Sequence, residues 1–179
     1  MSMNTALLVI DVQESFRHRP YFRQDELPSF FDRLQKLCDA AMARGWPCVR
    51  VLHVEETGAF SEASGLVEPM KEVRFGPALV VKKARHSALA GTPLSSWLIS
   101  RGIRRVVVSG IRTEQCCETT ARHASDSGFE VDFVTEATLT FPIGLPDGRE
   151  LGTADIRERT EAVLRDRFAR TLTVDEVLV

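Results

Sequence analysis

The segment Arg105-Val106-Val107-Val108-Ser109-Gly110-Ile111-Arg112-Thr113-Glu114-Gln115-Cys116-Cys117 joins a β-branched apolar run to an alanine-rich helical pattern. This order predicts a buried strand, a tight turn and a helix that begins near the two cysteines. Backbone N–H groups and the positive end of the helix dipole point outward at such a turn. That setting can lower the pKa of a thiol and stabilise an oxyanion, so the segment indicates a nucleophilic cysteine.

Outward from this segment, strand and helix patterns alternate along the chain. Apolar and β-branched runs predict strands at residues 6–10, 47–54, 78–81, 105–109, 129–134 and 171–174. Apolar residues at helical spacing predict helices at residues 30–42, 93–99, 118–127 and 153–168. Alternating strands and helices predict an α/β fold, in which a mostly parallel sheet carries helices on both faces. Ligands of such sheets bind outside the carboxyl ends of the strands.

The composition excludes several classes of function. The chain has 179 residues, of which 44% are hydrophobic and 27% charged, and we expect one domain over residues 1–179. A net charge of −2 gives no electrostatic support for nucleic acid or a membrane as partner. No apolar stretch approaches the roughly 20 residues of a membrane span, and none fits a signal peptide. Four cysteines without zinc spacing favour a reduced, cytoplasmic setting.

Three chemically active side chains follow predicted strands. Asp11 comes after the first strand, and taken alone it is either a turn former or a site residue. Lys82 and Lys83 follow the third strand, and the period of two places them on opposite faces. A carboxylate and an ammonium beside Cys116 form a chemical unit. The carboxylate moves the thiol proton, the ammonium stabilises both anions, and the thiolate attacks a carbonyl or nitrile carbon.

The motifs around these residues resemble those of the isochorismatase-like cysteine hydrolases, which include nicotinamidases and N-carbamoyl amidohydrolases. They are Ala6-Leu7-Leu8-Val9-Ile10-Asp11-Val12-Gln13 with Phe16, Lys83-Ala84-Arg85-His86-Ser87-Ala88-Leu89 with Gly91-Thr92-Pro93-Leu94, and Gly110 to Cys116 with Thr120-Ala121 and Ala124. The resemblance spans residues 6 to about 137. It implies a three-layer α/β/α sandwich with a parallel six-stranded sheet, and an assembly of dimers or tetramers.

The resemblance also implies a role for each reactive residue. Asp11 would be the general base and acid. Lys83, four residues before Ser87, would stabilise the charges, and Cys116, three residues after Thr113, would be the nucleophile. The implied reaction is hydrolysis of a non-peptide C–N bond, of amide or carbamoyl type, in a small molecule. It would proceed through a thioester at Cys116.

Other positions contribute to the predicted site. In the family a cis peptide precedes the nucleophile, and it maps onto Ile111–Arg112. The N–H groups of Arg112 and Cys116 would form the oxyanion hole. Phe16, His53 and Arg112 are candidates for contact with substrate. The Arg112 guanidinium either recognises an anionic group or points to solvent, and His53 either faces the pocket or is a hydrogen-bonded structural residue.

Several interpretations stay open on the sequence alone. The aromatic residues Phe16, Tyr21, Phe22, Phe60 and Phe141 form either a pocket wall or core. Nicotinamidases carry a metal on an Asp-x-His motif with further histidines, and this chain has no Asp-x-His. We therefore expect no catalytic metal, no cofactor and no nicotinamidase activity. The alternatives are an ether hydrolase or lyase of isochorismatase type with Asp11 as acid, a redox protein with vicinal Cys116 and Cys117, and a binding module with a degenerate site.

Overall fold

Strands and helices alternate along residues 4–177, the part of the chain that the computed structural model describes. The strands are β1 (Thr5–Ile10), β2 (Cys48–His53), β3 (Leu79–Lys83), β4 (Arg105–Ile111), β5 (Glu130–Leu139), β6 (Ile143–Gly144), β7 (Glu150–Leu151) and β8 (Arg170–Thr171). The α-helices are α1 (Leu27–Ala43), α2 (Leu94–Ser100), α3 (Glu118–Asp126), α4 (Thr153–Leu164) and α5 (Val174–Val177). Within these residues no helix is both long and apolar enough to cross a membrane.

The central sheet has six strands in the order β3-β2-β1-β4-β5-β8, and every neighbouring pair is parallel. Helices α2, α3 and α4 contribute apolar residues to the core on one face, and α1 and α5 contribute to the core on the other. In β1, Leu8 and Ile10 face the first core while Leu7 and Val9 face the second, which explains why this strand is apolar at every position. The predicted α/β fold with a parallel six-stranded sheet is confirmed.

Several predicted element boundaries differ from the structure. The strand predicted at residues 171–174 is only Arg170–Thr171, and Val174 begins helix α5. Two other differences have local reasons. Helix α4 ends at Leu164 rather than at residue 168, because Asp166 adopts the left-handed conformation with φ 58°. Strand β5 continues to Leu139, beyond the predicted end at residue 134. Its pairing with β4 shifts register between Val108 and Gly110, which accommodates the extra residues.

The central pair of strands, β1 and β4, approach each other very closely at Gly110. An added Cβ there would lie 2.0 Å from the carbonyl oxygen of Ile10, and the residue has φ +123°. Only glycine fits both the spacing and the backbone conformation. The two strands therefore end side by side, and the residues that follow them, Asp11 and the turn before Cys116, lie at one edge of the sheet.

Candidate active site

Asp11 and Lys83 form a buried ion pair at the carboxyl edge of the sheet. Asp11 follows β1 with φ +53°, a left-handed conformation that Asp tolerates better than most residues, and its N–H donates to the carbonyl oxygen of Val51 over 2.9 Å. Lys83 ends β3 and its Nζ donates to Asp11 Oδ2 over 2.8 Å, with both side chains fully buried. Lys82 lies on the opposite face, exposed and paired with Glu62, as the strand period predicted.

Cys116 completes the group of three. It lies in the single π-helical turn Thr113–Cys117 that joins β4 to α3, and its Sγ is 3.3 Å from Lys83 Nζ. Thr138 donates to the Thr135 carbonyl oxygen, so Thr113 donates its own hydroxyl proton to Thr138 Oγ1 over 2.7 Å. This bond fastens the start of the turn to β5. The adjacent Cys117 is fully buried in the core, as expected from its position on the helix.

The charges of the three groups are strongly coupled. Burial raises the pKa of Asp11, although the Lys83 ammonium opposes the effect. Burial and the Asp11 carboxylate raise the pKa of the Cys116 thiol. Burial lowers the pKa of Lys83, but Asp11 and Cys116 outweigh it, and the net shift is upward. The resting site therefore holds a Lys83 ammonium and a protonated Cys116 thiol.

The sequence-based expectation of a lowered thiol pKa is therefore wrong. That expectation considered only the end of the helix, whereas burial and a carboxylate at close range act in the opposite sense. The Cys116 thiol must lose its proton to a neighbouring base when it attacks. Asp11 Oδ1 is buried and has no hydrogen-bond partner among the described residues, so it has a lone pair available for that proton.

His53 lies in the site and contacts the ammonium. Its Nδ1 is 3.0 Å from Lys83 Nζ, and because an ammonium only donates, Nδ1 accepts. Burial and Lys83 lower the pKa of His53, so the imidazole is neutral with its proton on Nε2. Buried Gln13 holds this residue through its backbone, accepting from the His53 N–H over 2.7 Å and donating to its carbonyl oxygen over 3.1 Å. Lys83 thus directs its three donors at Asp11, His53 and Cys116.

Two of the other three histidines, His86 and His123, have different surroundings. His86 Nδ1 is 3.9 Å from Cys116 Sγ, and its exposed ring stacks on that of His53 with a centroid distance of 6.3 Å. His123 Nδ1 lies 2.8 Å from Ser87 Oγ, and this hydrogen bond gives it a structural role.

The site also offers a set of groups able to bind a metal. Ligand atoms of Asp11, His53 and Cys116 all lie within 4.8 Å of one another. The Lys83 ammonium already contacts all three groups, at 2.8, 3.0 and 3.3 Å. A divalent cation would have to displace that charge or lose the pair it makes with Asp11. The absence of a catalytic metal stays a prediction, and the position of Lys83 supports it.

Arg112 follows the Ile111–Arg112 peptide bond, which is cis as the resemblance implied. Its side chain is 8% exposed, so the interpretation that it points to solvent is wrong. Its Nη2 lies 2.9 Å from Glu114 Oε1, and its guanidinium stacks 4.8 Å from the Tyr21 ring. Glu114 also accepts a hydrogen bond from Thr140 over 2.6 Å.

An aromatic cluster packs over this side of the sheet. Its members are Phe16, Tyr21, Phe22, Phe60 and Phe141. Phe16 and Phe60 meet edge to face at 5.0 Å, and Phe60 reaches His53 with a centroid distance of 5.7 Å. The aromatic cluster is thus both core and site wall, because one end of it contacts a residue that binds Lys83.

Comparison with known proteins agrees with this architecture. A sequence profile described as the isochorismatase domain matches residues 5–175. The chain belongs to the isochorismatase family. It is 34% identical to Nicotinamidase 3 of Arabidopsis thaliana, over 76% of this chain and 73% of that protein, and 29% identical to a streptothricin hydrolase of Streptomyces noursei, over 96% and 60%. An isochorismatase-family crystal structure from Burkholderia xenovorans superposes with a TM-score of 0.89 at 30% identity, covering 98% of this chain and 86% of that one.

The family assignment confirms the resemblance and makes the chain an isochorismatase-family hydrolase. The predicted roles of Asp11, Lys83 and Cys116, and of the Arg112 and Cys116 N–H groups, stay predictions. What the structure adds is their arrangement: Asp11, Lys83 and Cys116 lie together, with His53 beside them. Two other residues were predicted to contact substrate. Phe16 lies in the aromatic cluster, and the Arg112 guanidinium lies over the Phe141 ring of that cluster at 5.9 Å.

Proposed function

We propose that this protein hydrolyses a non-peptide C–N bond, of amide or carbamoyl type, in a small molecule through a thioester at Cys116. The observation that carries the proposal is the contact of one ammonium, Lys83 Nζ, with Asp11 at 2.8 Å and with Cys116 Sγ at 3.3 Å, in a buried site. The relatives named nicotinamidase and streptothricin hydrolase support C–N hydrolysis, since amide cleavage is the chemistry that a nicotinamidase is named for.

In the first half-reaction Asp11 takes the proton of the Cys116 thiol while Sγ attacks the carbonyl carbon. The Arg112 and Cys116 N–H groups would bind the oxyanion that forms on the carbonyl oxygen. When this intermediate collapses, the C–N bond breaks and Asp11 returns the proton to the leaving nitrogen. The products are an amine or ammonia and an acyl group bound to Cys116.

In the second half-reaction water attacks the thioester and gives a proton to Asp11. The C–S bond breaks, the proton passes to Sγ, and the free acid leaves, so that the site returns to its starting charges. Lys83 keeps its proton throughout, because Asp11 and Cys116 hold its pKa up. Its positive charge stabilises whichever of the two groups is negative at each step.

The alternatives explain fewer of the contacts. An ether hydrolase or lyase that uses Asp11 as acid requires no thiol beside Lys83. A vicinal-thiol redox protein requires both sulfurs to react, whereas Cys117 is fully buried and its thiol pKa is raised by that burial. Cys116→Ala distinguishes the thioester and ether mechanisms. The variant should be inactive if the reaction proceeds through a thioester, and active if Asp11 alone acts as the acid.

The proposal is tested with Cys116→Ser and Cys117→Ser, matched changes at adjacent positions. We expect Cys116→Ser to lower kcat/KM on primary amides and ureido compounds by at least about 10³-fold, because a hydroxyl is a far weaker nucleophile here. Intact mass spectrometry of acid-quenched wild type should show an acyl adduct that maps to residue 116. An unchanged rate in Cys116→Ser, or an adduct elsewhere, would contradict the thioester route.

A further inference from the structure

Arg19 carries a charge that the rest of the protein does not neutralise. The side chain is half-buried, and among residues 4–177 it has no ion pair and no hydrogen-bond partner. Its Nε is fully shielded from solvent and is unsatisfied. The guanidinium instead lies over two members of the aromatic cluster, 5.6 Å from the Tyr21 ring and 5.8 Å from the Phe60 ring.

The neighbouring arginines are neutralised in a way that Arg19 is not. Arg17 pairs with Glu14 at 2.9 Å and with Glu72 at 2.8 Å. Arg112, on the same Tyr21 ring as Arg19, pairs with Glu114. Burying a polar group without a partner costs free energy, and proteins pair such groups with few exceptions. The Nε of Arg112 is unsatisfied as well, so what sets Arg19 apart is that no carboxylate of the described residues pairs with it. Its guanidinium is therefore available to an anion from outside the chain.

Two aromatic rings link Arg19 to the group that holds the reactive thiol. The Phe60 ring contacts Arg19 at 5.8 Å and also contacts the His53 ring, with a centroid distance of 5.7 Å. His53 Nδ1 is 3.0 Å from Lys83 Nζ, which is 3.3 Å from Cys116 Sγ. Two side chains thus separate Arg19 from Lys83. A small molecule held at Cys116 and extended along these rings would bring an anionic group to Arg19.

We propose that Arg19 is an anion-binding residue of the active site, and that the substrate is an amide or carbamoyl compound bearing a carboxylate. The second clause rests on the function proposed above. Asp11 pairs with Lys83 and Glu114 pairs with Arg112, whereas no carboxylate among the described residues pairs with Arg19. A planar guanidinium matches a carboxylate with two parallel hydrogen bonds, and the aromatic surroundings strengthen the attraction. Recognition of an anionic group was one of two interpretations of Arg112, but Glu114 already neutralises that residue.

Alkylation of Cys116 tests the anion site without any turnover. Iodoacetate and iodoacetamide both form an S–C bond and release iodide, and they differ in that only iodoacetate is negatively charged. We expect Arg19→Gln to lower the ratio of iodoacetate to iodoacetamide rate constants at Cys116 by about tenfold, measured by peptide mapping at low salt. Arg19→Lys should retain most of the wild-type ratio because it keeps the charge.

Arg17→Gln is the matched control, since it removes the same charge from the same loop but from an arginine that two glutamates neutralise. It should leave the ratio within about twofold of wild type, and added salt should weaken the wild-type preference. A ratio that is the same in wild type and Arg19→Gln, or that falls equally in Arg17→Gln, would overturn the anion site.

Substrate assays then separate this inference from the proposed function. N-carbamoyl-β-alanine and propylurea are a matched pair of ureido probes, with and without a carboxylate. Selective loss of kcat/KM for the acid in Arg19→Gln supports the inference. Equal hydrolysis of both probes by wild type and variant overturns it and leaves the thioester mechanism standing, whereas the Cys116→Ser result decides the mechanism alone.

Discussion

Two aspartate–cation pairs lie at opposite ends of the central sheet, and they differ in what is left unsatisfied. At the amino ends of the strands, Asp132 receives two hydrogen bonds from Arg170, to Oδ1 at 2.7 Å and to Oδ2 at 2.9 Å. At the carboxyl ends, Asp11 receives one from Lys83, to Oδ2, and its Oδ1 has no partner among the described residues. Arg170 is largely exposed, whereas Lys83 is fully buried.

The difference teaches how a structural pair can be told from a reactive one. The two hydrogen bonds from Arg170 satisfy both oxygens of the Asp132 carboxylate, and hydrogen bonding to Asp132 raises the pKa of Arg170. The Asp11 pair carries the opposite signature: burial raises the pKa of the carboxyl, and one oxygen stays free to take a proton. Groups with perturbed pKa values and unsatisfied atoms cost stability, and they cluster at functional sites because the chemistry there requires them.

The largest effect should come from breaking each pair by the same change. Asp11→Asn leaves the Lys83 ammonium buried without its counter-ion, so we expect the free energy of unfolding to fall by about 3–5 kcal/mol. Asp132→Asn leaves Arg170 largely in water, so we expect a loss of about 1 kcal/mol. Urea titration of both variants measures the two losses. Only Asp11→Asn should abolish amide hydrolysis.

A double variant sharpens the same comparison. In Asp11→Asn/Lys83→Met no charge of the pair remains buried, so part of the stability lost in Asp11→Asn should return even though two residues have changed. Equal losses in the two Asn variants, or additive losses in the double variant, would mean that the Asp11 pair is an ordinary structural ion pair.

The sequence predicted the fold because the fold depends on local pattern. Runs such as residues 6–10 and 105–109 identify strands, and parallel topology brings the ends of those strands to one edge. The period of two places Lys82 and Lys83 on opposite faces, as the structure confirms. The choice of Lys83 and Cys116 over their neighbours came from the family resemblance, and their roles stay predictions.

What the sequence missed depends on long-range packing. The pKa of Cys116 is set by burial and by Asp11, 105 positions away in the chain, rather than by its own helix. The partner that neutralises Arg112 is only two residues away, but its side-chain direction could not be read from spacing. His86 stacks on His53 and Arg19 lies over the Phe60 ring, and these contacts between distant parts of the chain cannot be read from residue spacing.

A smaller effect should appear in the pH dependence of Cys116 alkylation by iodoacetamide. In wild type the raised pKa keeps the thiol protonated, so the rate should climb about tenfold per pH unit from pH 7 to 9 without a plateau. Asp11→Asn removes a charge that raises this pKa, so the thiolate fraction at pH 7.5 should increase and alkylation should become faster by up to about tenfold, although hydrolysis is lost. Asp132→Asn should follow the wild-type curve.

The direction of that change discriminates between two ways of activating the thiol. If Asp11 were needed to keep a resting thiolate, its loss would slow alkylation. Faster alkylation together with lost turnover would show that Asp11 serves as the base of the reaction rather than as a support for a thiolate. A slower rate in Asp11→Asn would contradict the charge state assigned to the resting site.

The smallest effect is expected at the lysine next to the site. Lys82 and Lys83 are adjacent and chemically identical, but Lys82 pairs with Glu62 on the exposed face. Exposed pairs contribute little because water screens them, so Lys82→Met should change the free energy of unfolding by less than about 0.5 kcal/mol and leave kcat/KM unchanged. Lys83→Met, the same change one position on, should eliminate turnover, because the Asp11 carboxylate loses its partner and its pKa rises further. The argument is that the buried lysine is needed for turnover and the exposed one is not. A comparable loss of turnover in Lys82→Met would contradict it.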